Sequence, residues 1–269
     1  MKNSVDIKGY LRLNMENTAD FNIDSDCSLF ISSSTDKVIV NHHNNYFEKF
    51  SFHKSYKKSC AEVDIYNILQ QSRQYFLVSD IKDINKKENY CSFKLYNTFS
   101  EKKQRILDNK ILIKALVEFF QMIPLQRKRV ESICSLIRKD LSVTTVDTKP
   151  RLDLILNQIE NSHGGEEISI GLTHWDFKLW NIQAYENKVQ IYDFEESKID
   201  GLPLEDLYNY YIDSKIMAGK STEYIVTFIN SHFLKEQAEE YLELLNIKTS
   251  SKLLLLFYFL NRIHFYQMN

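Results

Sequence analysis

The stretch that decides the fold reads Gly171-Leu-Thr-His-Trp-Asp-Phe-Lys-Leu-Trp-Asn181, and Ile191-Tyr-Asp-Phe-Glu195 follows it closely. It brings two acids and an amide, Asp176, Asn181 and Asp193, close together in the chain. Short apolar runs on either side predict two strands. We therefore expect three hydrophilic side chains to be held near strand ends.

Such a set of side chains suits phosphoryl transfer. One carboxylate orients the attacking hydroxyl and accepts its proton, while a second carboxylate and an amide oxygen hold Mg²⁺ against the phosphates. The spacing Asp-x4-Asn, with an Asp-Phe pair twelve residues after the Asn, fits this requirement. The alternative is that the two motifs occur by chance on an unrelated fold, which the combined pattern disfavours.

Upstream of this stretch the first hundred residues are predicted to be rich in strands. Short segments with β-branched and aromatic residues alternate with polar clusters, which indicates an antiparallel meander. We place strands at Cys27–Ser32, Lys37–His42, Tyr46–Phe52, Tyr75–Asp80 and Tyr90–Tyr96, a helix at Tyr56–Gln71 and a charged turn at Asn85–Asn89.

After Asn97 the hydrophobic period becomes helical. Helices are predicted at Ile106–Met122, Val130–Leu141, Leu152–Ile159, Leu204–Met217, Tyr224–Phe233, Gln237–Leu245 and Ser251–Phe265, with strands at Ile168–Leu172 and Val189–Tyr192. The sequence therefore predicts an α+β fold. Residues 1–98 form a small antiparallel-sheet lobe with one main helix, and residues 99–269 form a larger, mainly helical lobe.

The motifs His174-x-Asp176-x4-Asn181 and Asp193-Phe-Glu resemble the catalytic loop and metal-binding segment of the aminoglycoside phosphotransferase and choline kinase superfamily, small-molecule relatives of protein kinases. The resemblance implies a bilobal protein-kinase-like fold, with ATP and Mg²⁺ as cofactors and a small-molecule hydroxyl as acceptor. It also implies that Asp176 is the catalytic base and that Asn181 and Asp193 bind Mg²⁺. Asp206 resembles the acidic residue that stabilises the catalytic loop in this family.

A kinase-like small lobe needs a strand lysine paired with a helix glutamate, because the lysine must be aimed at the α- and β-phosphates. Lys49 lies in the third predicted strand and Glu62 in the following helix, so we predict that they pair; the alternative is that both are surface charges. The turn between the first two strands contains no glycine. We predict that Ser33 and Ser34 contact phosphate there, and that Lys94–Thr98 is the hinge beneath adenine.

Three further residues of the central stretch suggest roles at the acceptor side. Lys178 stands where protein kinases carry a lysine that neutralises the γ-phosphate, but it also fits a solvated side chain. Trp175 stands where the family commonly has glycine, and its ring either narrows the acceptor pocket or stacks on a sugar there, or it packs inward. Trp180 is expected to pack. The pattern His-x-Asp-Phe-x-x-Trp-Asn is similar to sugar kinases of bacterial surface-polysaccharide pathways, so we expect a sugar or amino sugar as acceptor.

Several acids after the second motif leave the charge of the acceptor open. They favour a cationic acceptor such as an aminoglycoside if they line its site, and they are uninformative if they cap helices or stay solvated. The residues are Glu195, Glu196, Asp200, Glu205 and Asp206.

The bulk composition narrows the class of protein. The net charge is −2, so we expect no nucleic-acid partner. The four cysteines form no Cys-x-x-Cys pair, which is typical of a cytoplasmic protein. The longest apolar run, Leu253–Leu260, is far short of the roughly 20 residues that span a bilayer, so we expect no membrane span.

Two motifs that mimic other sites are interpreted as structural. Gly219-Lys-Ser-Thr222 resembles the end of a phosphate-binding loop but lacks its first glycine, so we interpret it as a helix end. His42, His43 and His53 lack partners at metal-ligand spacing.

Two other functions stay open at this point. One is a pseudokinase that binds nucleotide or a protein partner, because the phosphate-covering turn has no glycine and Trp175 crowds the predicted base. The other is a protein kinase, which the short segment between Glu195 and Pro203 and the missing Ala-Pro-Glu sequence disfavour.

Overall fold

The computed structural model describes residues 10–11, 28–32, 36–42, 46–71, 73–96, 107–141 and 149–268. Internal contacts divide the chain into two compact units. The first comprises Met1–Ser72, Leu77–Lys102 and Ile191–Glu196, and the second comprises Arg73–Phe76, Lys103–Gln190 and Ser197–Asn269. The short segment Ile191–Glu196 thus belongs with the N-terminal strands. The predicted lobe boundary between residues 98 and 99 lies outside the described residues.

The described strands, in chain order, are β1 (Tyr10–Leu11), β2 (Ser28–Ser32), β3 (Lys37–His42), β4 (Tyr46–Phe52), β5 (Phe76–Leu77), β6 (Asp80–Lys87), β7 (Tyr90–Tyr96), β8 (Gln126–Arg129), β9 (Glu167–Thr173), β10 (Ile182–Ala184), β11 (Val189–Ile191) and β12 (Lys198–Gly201). One six-stranded antiparallel sheet has the order β1-β2-β3-β4-β7-β6. Two three-stranded sheets have the orders β10-β11-β5 and β12-β9-β8.

The described helices are α1 (His53–Ile68), α2 (Asn109–Phe120), α3 (Val130–Leu141), α4 (Lys149–His163), α5 (Glu205–Tyr208), α6 (Ser214–Met217), α7 (Thr222–Ile229), α8 (His232–Leu244) and α9 (Ser251–Met268). A π-helical turn, Asn209–Asp213, joins α5 to α6. Among the helices that the structure describes, none has the length and apolarity needed to cross a membrane.

The first unit is built on the six-stranded sheet and α1. Val40 and Phe50 are buried in the sheet, and partly buried neighbours from β2, β4 and β7 pack against them. Helix α1 follows β4 without a loop, because His53 adopts a positive φ of 47°. The short connection places the buried face of α1 against the sheet, which brings α1 side chains close to β4.

The second unit is mainly helical. Helix α2 begins where the Asp108 side chain accepts a hydrogen bond from the Lys110 amide at 2.7 Å, and its buried face includes Leu116 and Phe119. Strand β9 is the central strand of its sheet and contacts α2. Because β9 is held on both edges, the loop that follows Thr173 starts from a fixed position.

The predicted fold class is confirmed, with local corrections to the elements. The predicted strand Tyr75–Asp80 is interrupted, because β5 ends at Leu77 and β6 begins at Asp80. The predicted turn Asn85–Asn89 shortens, since β6 continues to Lys87. The predicted helix Tyr224–Phe233 ends at Ile229, because the Ser231 hydroxyl accepts from the Leu234 amide at 3.3 Å and starts α8.

Candidate active site

The first unit contains a buried lysine surrounded by three carboxylates. Lys49 Nζ on β4 donates to Glu62 Oε2 on α1 at 2.8 Å and to Asp193 Oδ1 at 3.2 Å. It also forms an ion pair with Glu195, which in turn pairs with Lys37 on β3. The structure therefore brings together the predicted Lys49 and Glu62, and it adds Glu195 and Lys37, which the sequence analysis did not assign.

Local structure explains why Glu62 reaches Lys49. The buried side of α1 carries Ser59, Glu62 and Tyr66 at three- and four-residue spacing. Ser51 lies two residues after Lys49 on β4, so both side chains point to the same face of the sheet. Ser51 and Ser59 hydrogen-bond through their hydroxyls at 2.6 Å, and this contact aligns the helix with the strand.

The charges of this cluster are strongly coupled. Burial lowers the pKa of Lys49, but the attraction of Glu62 and then of Glu195 outweighs it, and the pKa lies well above its usual value. Burial raises the pKa of Glu62 to about 8 against the opposing attraction of Lys49. Burial also disfavours the ionised form of Glu195, but Lys49 outweighs this and lowers the pKa of that carboxyl. Lys49 is therefore a fixed, fully protonated ammonium.

Asp193 differs from the other two carboxylates by its exposure. Its side chain is 50% exposed, whereas Glu62 is fully buried and Glu195 is 10% exposed. Its backbone has φ 62°, a conformation that costs a non-glycine residue on the order of 1–3 kcal/mol and that concentrates at functional sites. The three carboxylates offer ligand oxygens within 4.8 Å of one another, a donor set that fits Mg²⁺. Asp193 is the member that a cation can reach.

The second unit contains the loop after β9. Asn181 Nδ2 donates to the Asp176 backbone carbonyl at 2.9 Å and to Asp176 Oδ2 at 3.1 Å. Lys178 Nζ lies 2.5 Å from Asp176 Oδ1. Asp176, Lys178 and Asn181 therefore form one group. The Asn181 amide nitrogen is committed to Asp176, so its Oδ1 is the atom suited to a metal.

Lys178 is not a solvated side chain. It is 8% exposed, and its ammonium lies between the Asp176 carboxylate and the Trp180 ring, 5.4 Å from the ring centroid. The expectation that Trp180 packs inward is wrong, because its side chain is 58% exposed. Trp180 follows Leu179 in a 3₁₀ turn that directs both apolar side chains to solvent.

The backbone of this loop is held by Asp206 at the start of α5. Asp206 Oδ2 accepts from the His174 amide at 2.7 Å and Oδ1 accepts from the Trp175 amide at 2.8 Å. Burial raises the pKa of Asp206, and the His174 side chain and these amides oppose the shift. Trp175 is buried, so of its two predicted positions the inward one is observed. His174 is also buried.

The acids proposed for a cationic acceptor are engaged elsewhere. Glu205 accepts from the Leu202 amide at 3.0 Å and from Asn261 at 2.9 Å, and Asp200 pairs with Lys128 at 3.2 Å. Glu196 pairs with Lys58, and Glu195 and Asp206 have the partners given above. These contacts favour the structural interpretation of the acids.

The remaining predicted positions either have a structural role or lie outside the residues that the structure describes. Ser33 and Ser34 fall outside the described residues, as does the end of the predicted hinge, of which β7 contains the part up to Tyr96. Gly219 has φ 68°, and the Ser221 hydroxyl accepts from the Tyr224 amide at 3.3 Å to start α7. The helix-end interpretation of this segment is confirmed.

Glu195 and Arg262 contact the candidate site residues but were not predicted. Glu195 lies two residues after Asp193, so the motif itself contained it. Arg262 is buried on α9, and its Nη2 donates to the Trp175 carbonyl at 2.5 Å. Its sequence signal is a cation well inside a largely apolar helix, whose other formal cation, Lys252, lies in the first turn; a cation inside the helix indicates a buried partner.

The chain matches no protein-family model, and no curated protein matches it by sequence. It is similar in structure to macrolide 2'-phosphotransferase MphH from Brachybacterium faecium, with TM-score 0.51, 10% identity, and 87% of this chain and 78% of that chain covered. It is also similar to amicoumacin kinase hAmiN in complex with AMP-PNP, Ca²⁺ and Ami, with TM-score 0.50, 14% identity and coverages of 92% and 79%.

A third similar structure is aminoglycoside phosphotransferase APH(3'')-Id from Streptomyces rimosus, with TM-score 0.49, 11% identity and coverages of 94% and 91%. The macrolide and amicoumacin enzymes establish the fold. It is the bilobal, protein-kinase-like α+β fold of small-molecule phosphotransferases, and the predicted resemblance is confirmed at that level.

Proposed function

We propose that this protein transfers the γ-phosphoryl group of ATP to a hydroxyl of a small molecule, with Asp176 as the catalytic base. The observation that carries the proposal is the group after β9 in which Asn181 hydrogen-bonds to Asp176 and Lys178 forms an ion pair with it. A base must be held in a fixed orientation to accept a proton from a hydroxyl at hydrogen-bond distance. Asn181 provides that restraint by binding both the backbone and the side chain of Asp176.

Lys178 supports the same step through its charge. A buried ammonium beside the base stabilises negative charge that develops on a phosphoryl group, and a buried charge is screened less than one in water. Lys178 is held by Asp176 and Trp180, so it needs little reorganisation. We assign Lys178 to charge stabilisation and Asp176 to proton acceptance.

On the nucleotide side we assign Lys49 to the α- and β-phosphates, with Glu62 and Glu195 fixing its ammonium. Ser33 and Ser34 are assigned to the phosphate-covering turn. Asn181 and Asp193 are assigned to Mg²⁺, which when bound neutralises charge on the phosphates. The amicoumacin kinase structure holds AMP-PNP and Ca²⁺, which supports a nucleotide and a divalent cation for this fold.

For the acceptor we propose a sugar or amino sugar. Trp180 supports this assignment, because an exposed indole beside the base offers an apolar face on which the C–H face of a sugar ring can stack. The acidic residues after Asp193 already bind other groups of the protein, which argues against an acceptor that is bound mainly through its positive charge. An amicoumacin kinase and a macrolide phosphotransferase are both similar in structure, which supports a fold that accommodates diverse acceptors.

The test is ATP turnover with Mg²⁺ against a panel of sugars, amino sugars, aminoglycosides and choline-like alcohols. We expect one acceptor class to raise ATP consumption above the rate with water, and chelation by EDTA to abolish it until Mg²⁺ is restored. Thermal stabilisation by Mg·ATP without any turnover across the panel would instead favour the pseudokinase. Incorporation of phosphate into a protein rather than a small molecule would favour the protein kinase.

A further inference from the structure

Trp175, the residue before the proposed base, is restrained at its backbone amide, at its backbone carbonyl and at its side chain. Asp206 binds the Trp175 amide, and Asn209 Nδ2 donates to the Trp175 carbonyl at 2.8 Å. Arg262 Nη2 donates to the same carbonyl at 2.5 Å and also to Asn209 Oδ1. The Trp175 carbonyl belongs to the peptide bond that leads into Asp176. These contacts therefore fix the position of the Asp176 backbone.

Two cations also cover the indole ring of Trp175. The Arg262 guanidinium carbon lies 4.4 Å from the ring centroid and Lys198 Nζ lies 3.5 Å from it. Both distances are within the range of a cation–π interaction. Arg262 therefore holds Trp175 through its backbone and its side chain at once.

Arg262 is itself held in place. Asp213 Oδ2 lies 3.7 Å from its Nη2, and Tyr258 donates to Asp213 Oδ1 at 2.8 Å. Asn209 and Asp213 are the first and last residues of the π-helical turn, a distortion that often occurs at functional sites. The turn supplies two of the groups that surround the guanidinium.

The conformation of Trp175 explains why so many contacts are present. Its φ is 66°, in the left-handed region that glycine adopts freely and a tryptophan does not. A residue in this region persists only when its surroundings fix it. The contacts to Arg262, Asn209 and Asp206 are the surroundings that do so.

We infer that Arg262 is a positioning residue for the proposed base: it holds Trp175 in the left-handed conformation that orients Asp176. The inference rests on the proposed function, since the quantity that it governs is the rate of phosphoryl transfer. It adds a residue of α9 that acts through the peptide leading into Asp176.

The test measures Mg·ATP turnover for wild type, Arg262→Gln, Trp175→Gly and the double variant. We expect Arg262→Gln to lower kcat about 10- to 100-fold, the scale of a small misplacement of a catalytic group, with KM for ATP changed less than about twofold. In the Trp175→Gly background the same change should cost less than about threefold, because glycine holds this φ without restraint. Arg262→Lys should recover only part of the rate, because an ammonium lacks the planar fork.

A matched control is Arg138→Gln. Arg138 on α3 also pairs with a carboxylate, Glu160 at 2.5 Å, but it does not contact the loop, so kcat should be unchanged. An equal loss from Arg262→Gln in both backgrounds would overturn the inference, because Arg262 would then act on the fold alone. An unchanged kcat in Arg262→Gln would also overturn it. If Arg262→Gln does not fold, Arg262→Lys in the two backgrounds decides in the same way.

A second measurement does not depend on turnover. The chain has two tryptophans, so Trp180→Phe leaves Trp175 as the single indole fluorophore. Adding Arg262→Gln should increase acrylamide quenching of Trp175, because the ring loses its cation and its carbonyl restraint. Unchanged quenching would contradict the restraint. If the wild type showed no turnover with any acceptor, the proposed function would fail, and quenching alone would decide whether Arg262 positions the loop.

Discussion

At the scale of single residues, three of the seven described non-glycine residues with positive φ lie in or beside the candidate site. Trp175, Asp193 and Leu204 all have positive φ without being glycine, with values of 66°, 62° and 69°. Trp175 precedes the proposed base Asp176, and Asp193 is itself assigned to Mg²⁺. Leu204 caps the helix that carries Asp206, which holds the loop backbone. Residue type does not predict this conformation at Trp175 and Leu204, because bulky side chains normally avoid the left-handed region, which an aspartate such as Asp193 adopts more readily.

The exposure of Trp180 leads to a prediction about the acceptor. Trp180→Ala should raise KM for the acceptor by up to about tenfold, the effect of losing one ring-stacking contact, while KM for ATP stays constant. Steady-state kinetics with the acceptor found in the panel measures both values. Tyr224→Ala, which removes another exposed ring on α7, is the control. Equal effects of Trp180→Ala on both KM values would contradict a role in acceptor binding.

The residues that the sequence could identify are those with motif spacing. Asp176, Asn181 and Asp193 are recognised by their spacing along the chain, and Lys49 and Glu62 because each lies on a predictable element. Arg262 and the exposure of Trp180 could not be predicted, since both depend on contacts between elements distant in the chain. Their roles in the reaction stay predictions.

At the scale of elements, regular strands were predictable and short polar ones were not. Strands β3, β4 and β7 have the predicted bounds, because their alternating apolar residues pack on one face. Strands β8 and β12 were missed: β8 reads Gln-Arg-Lys-Arg and carries no apolar residue. Pairing with β9 alone makes it a strand.

The close packing of β9 against α2 leads to a second prediction. A Cβ at Gly171 would lie 2.5 Å from the Phe120 carbonyl oxygen, a backbone atom that cannot move alone. Gly171→Ala should therefore lower the free energy of unfolding by about 1–3 kcal/mol, as overpacking does. Urea denaturation measures the change.

The control for this prediction is another glycine. A Cβ at Gly165 would meet nothing within 4 Å, so Gly165→Ala should change stability by less than about 0.5 kcal/mol. Equal destabilisation by both substitutions would show that loss of glycine itself, rather than the contact with Phe120, is responsible.

The buried lysine leads to a third prediction, about pH. Lys49→Met leaves Glu62 and Glu195 buried without their ammonium, which should cost about 3–5 kcal/mol near neutral pH. The pKa of both carboxyls then rises in the folded variant, while unfolded carboxyls keep a pKa near 4.5. Above the pKa of the unfolded carboxyls, the folded variant thus holds protons that the unfolded chain has released. Its free energy of unfolding therefore falls as the pH increases above that value.

The measurement is urea unfolding of Lys49→Met and wild type at two pH values. The deficit of the variant should be larger at about pH 8 than at about pH 5. Lys86→Met, which removes a surface ion pair with Asp64, is the control and should cost less than about 1 kcal/mol at either pH. A deficit of Lys49→Met that does not change with pH would contradict the coupling described for this cluster.

At the scale of the whole molecule, the fold persists without sequence similarity. The identities to the two phosphotransferases are only 10% and 14%. The chain's own pattern of apolar positions and motif spacing was enough to predict the α+β class. It was not enough to predict that Ile191–Glu196 joins the N-terminal unit, because this depends on contacts made by Phe194 and Glu195.

The N-terminal unit contains a segment from much later in the chain, Ile191–Glu196, and this leads to a fourth prediction. A fragment ending at residue 98 lacks Asp193 and Glu195, which pair with Lys49, and Phe194, whose ring lies 4.9 Å from that of Tyr66. Without them the fragment has a buried cation short of partners and an uncovered aromatic face. We expect no cooperative thermal transition by circular dichroism. A cooperative transition near that of the full chain would show that the N-terminal residues fold as an independent domain.

The most direct test of the central claim is the rate of Mg·ATP turnover in Asp176→Asn. Asparagine keeps the size and most hydrogen bonds of Asp176 but cannot accept the proton, so kcat should fall by about 10²- to 10⁴-fold with the fold intact. Asp140→Asn, an exposed residue on α3, should retain the wild-type rate. A fully active Asp176→Asn enzyme would contradict the assignment of Asp176 as the base, and with it the mechanism proposed for this loop.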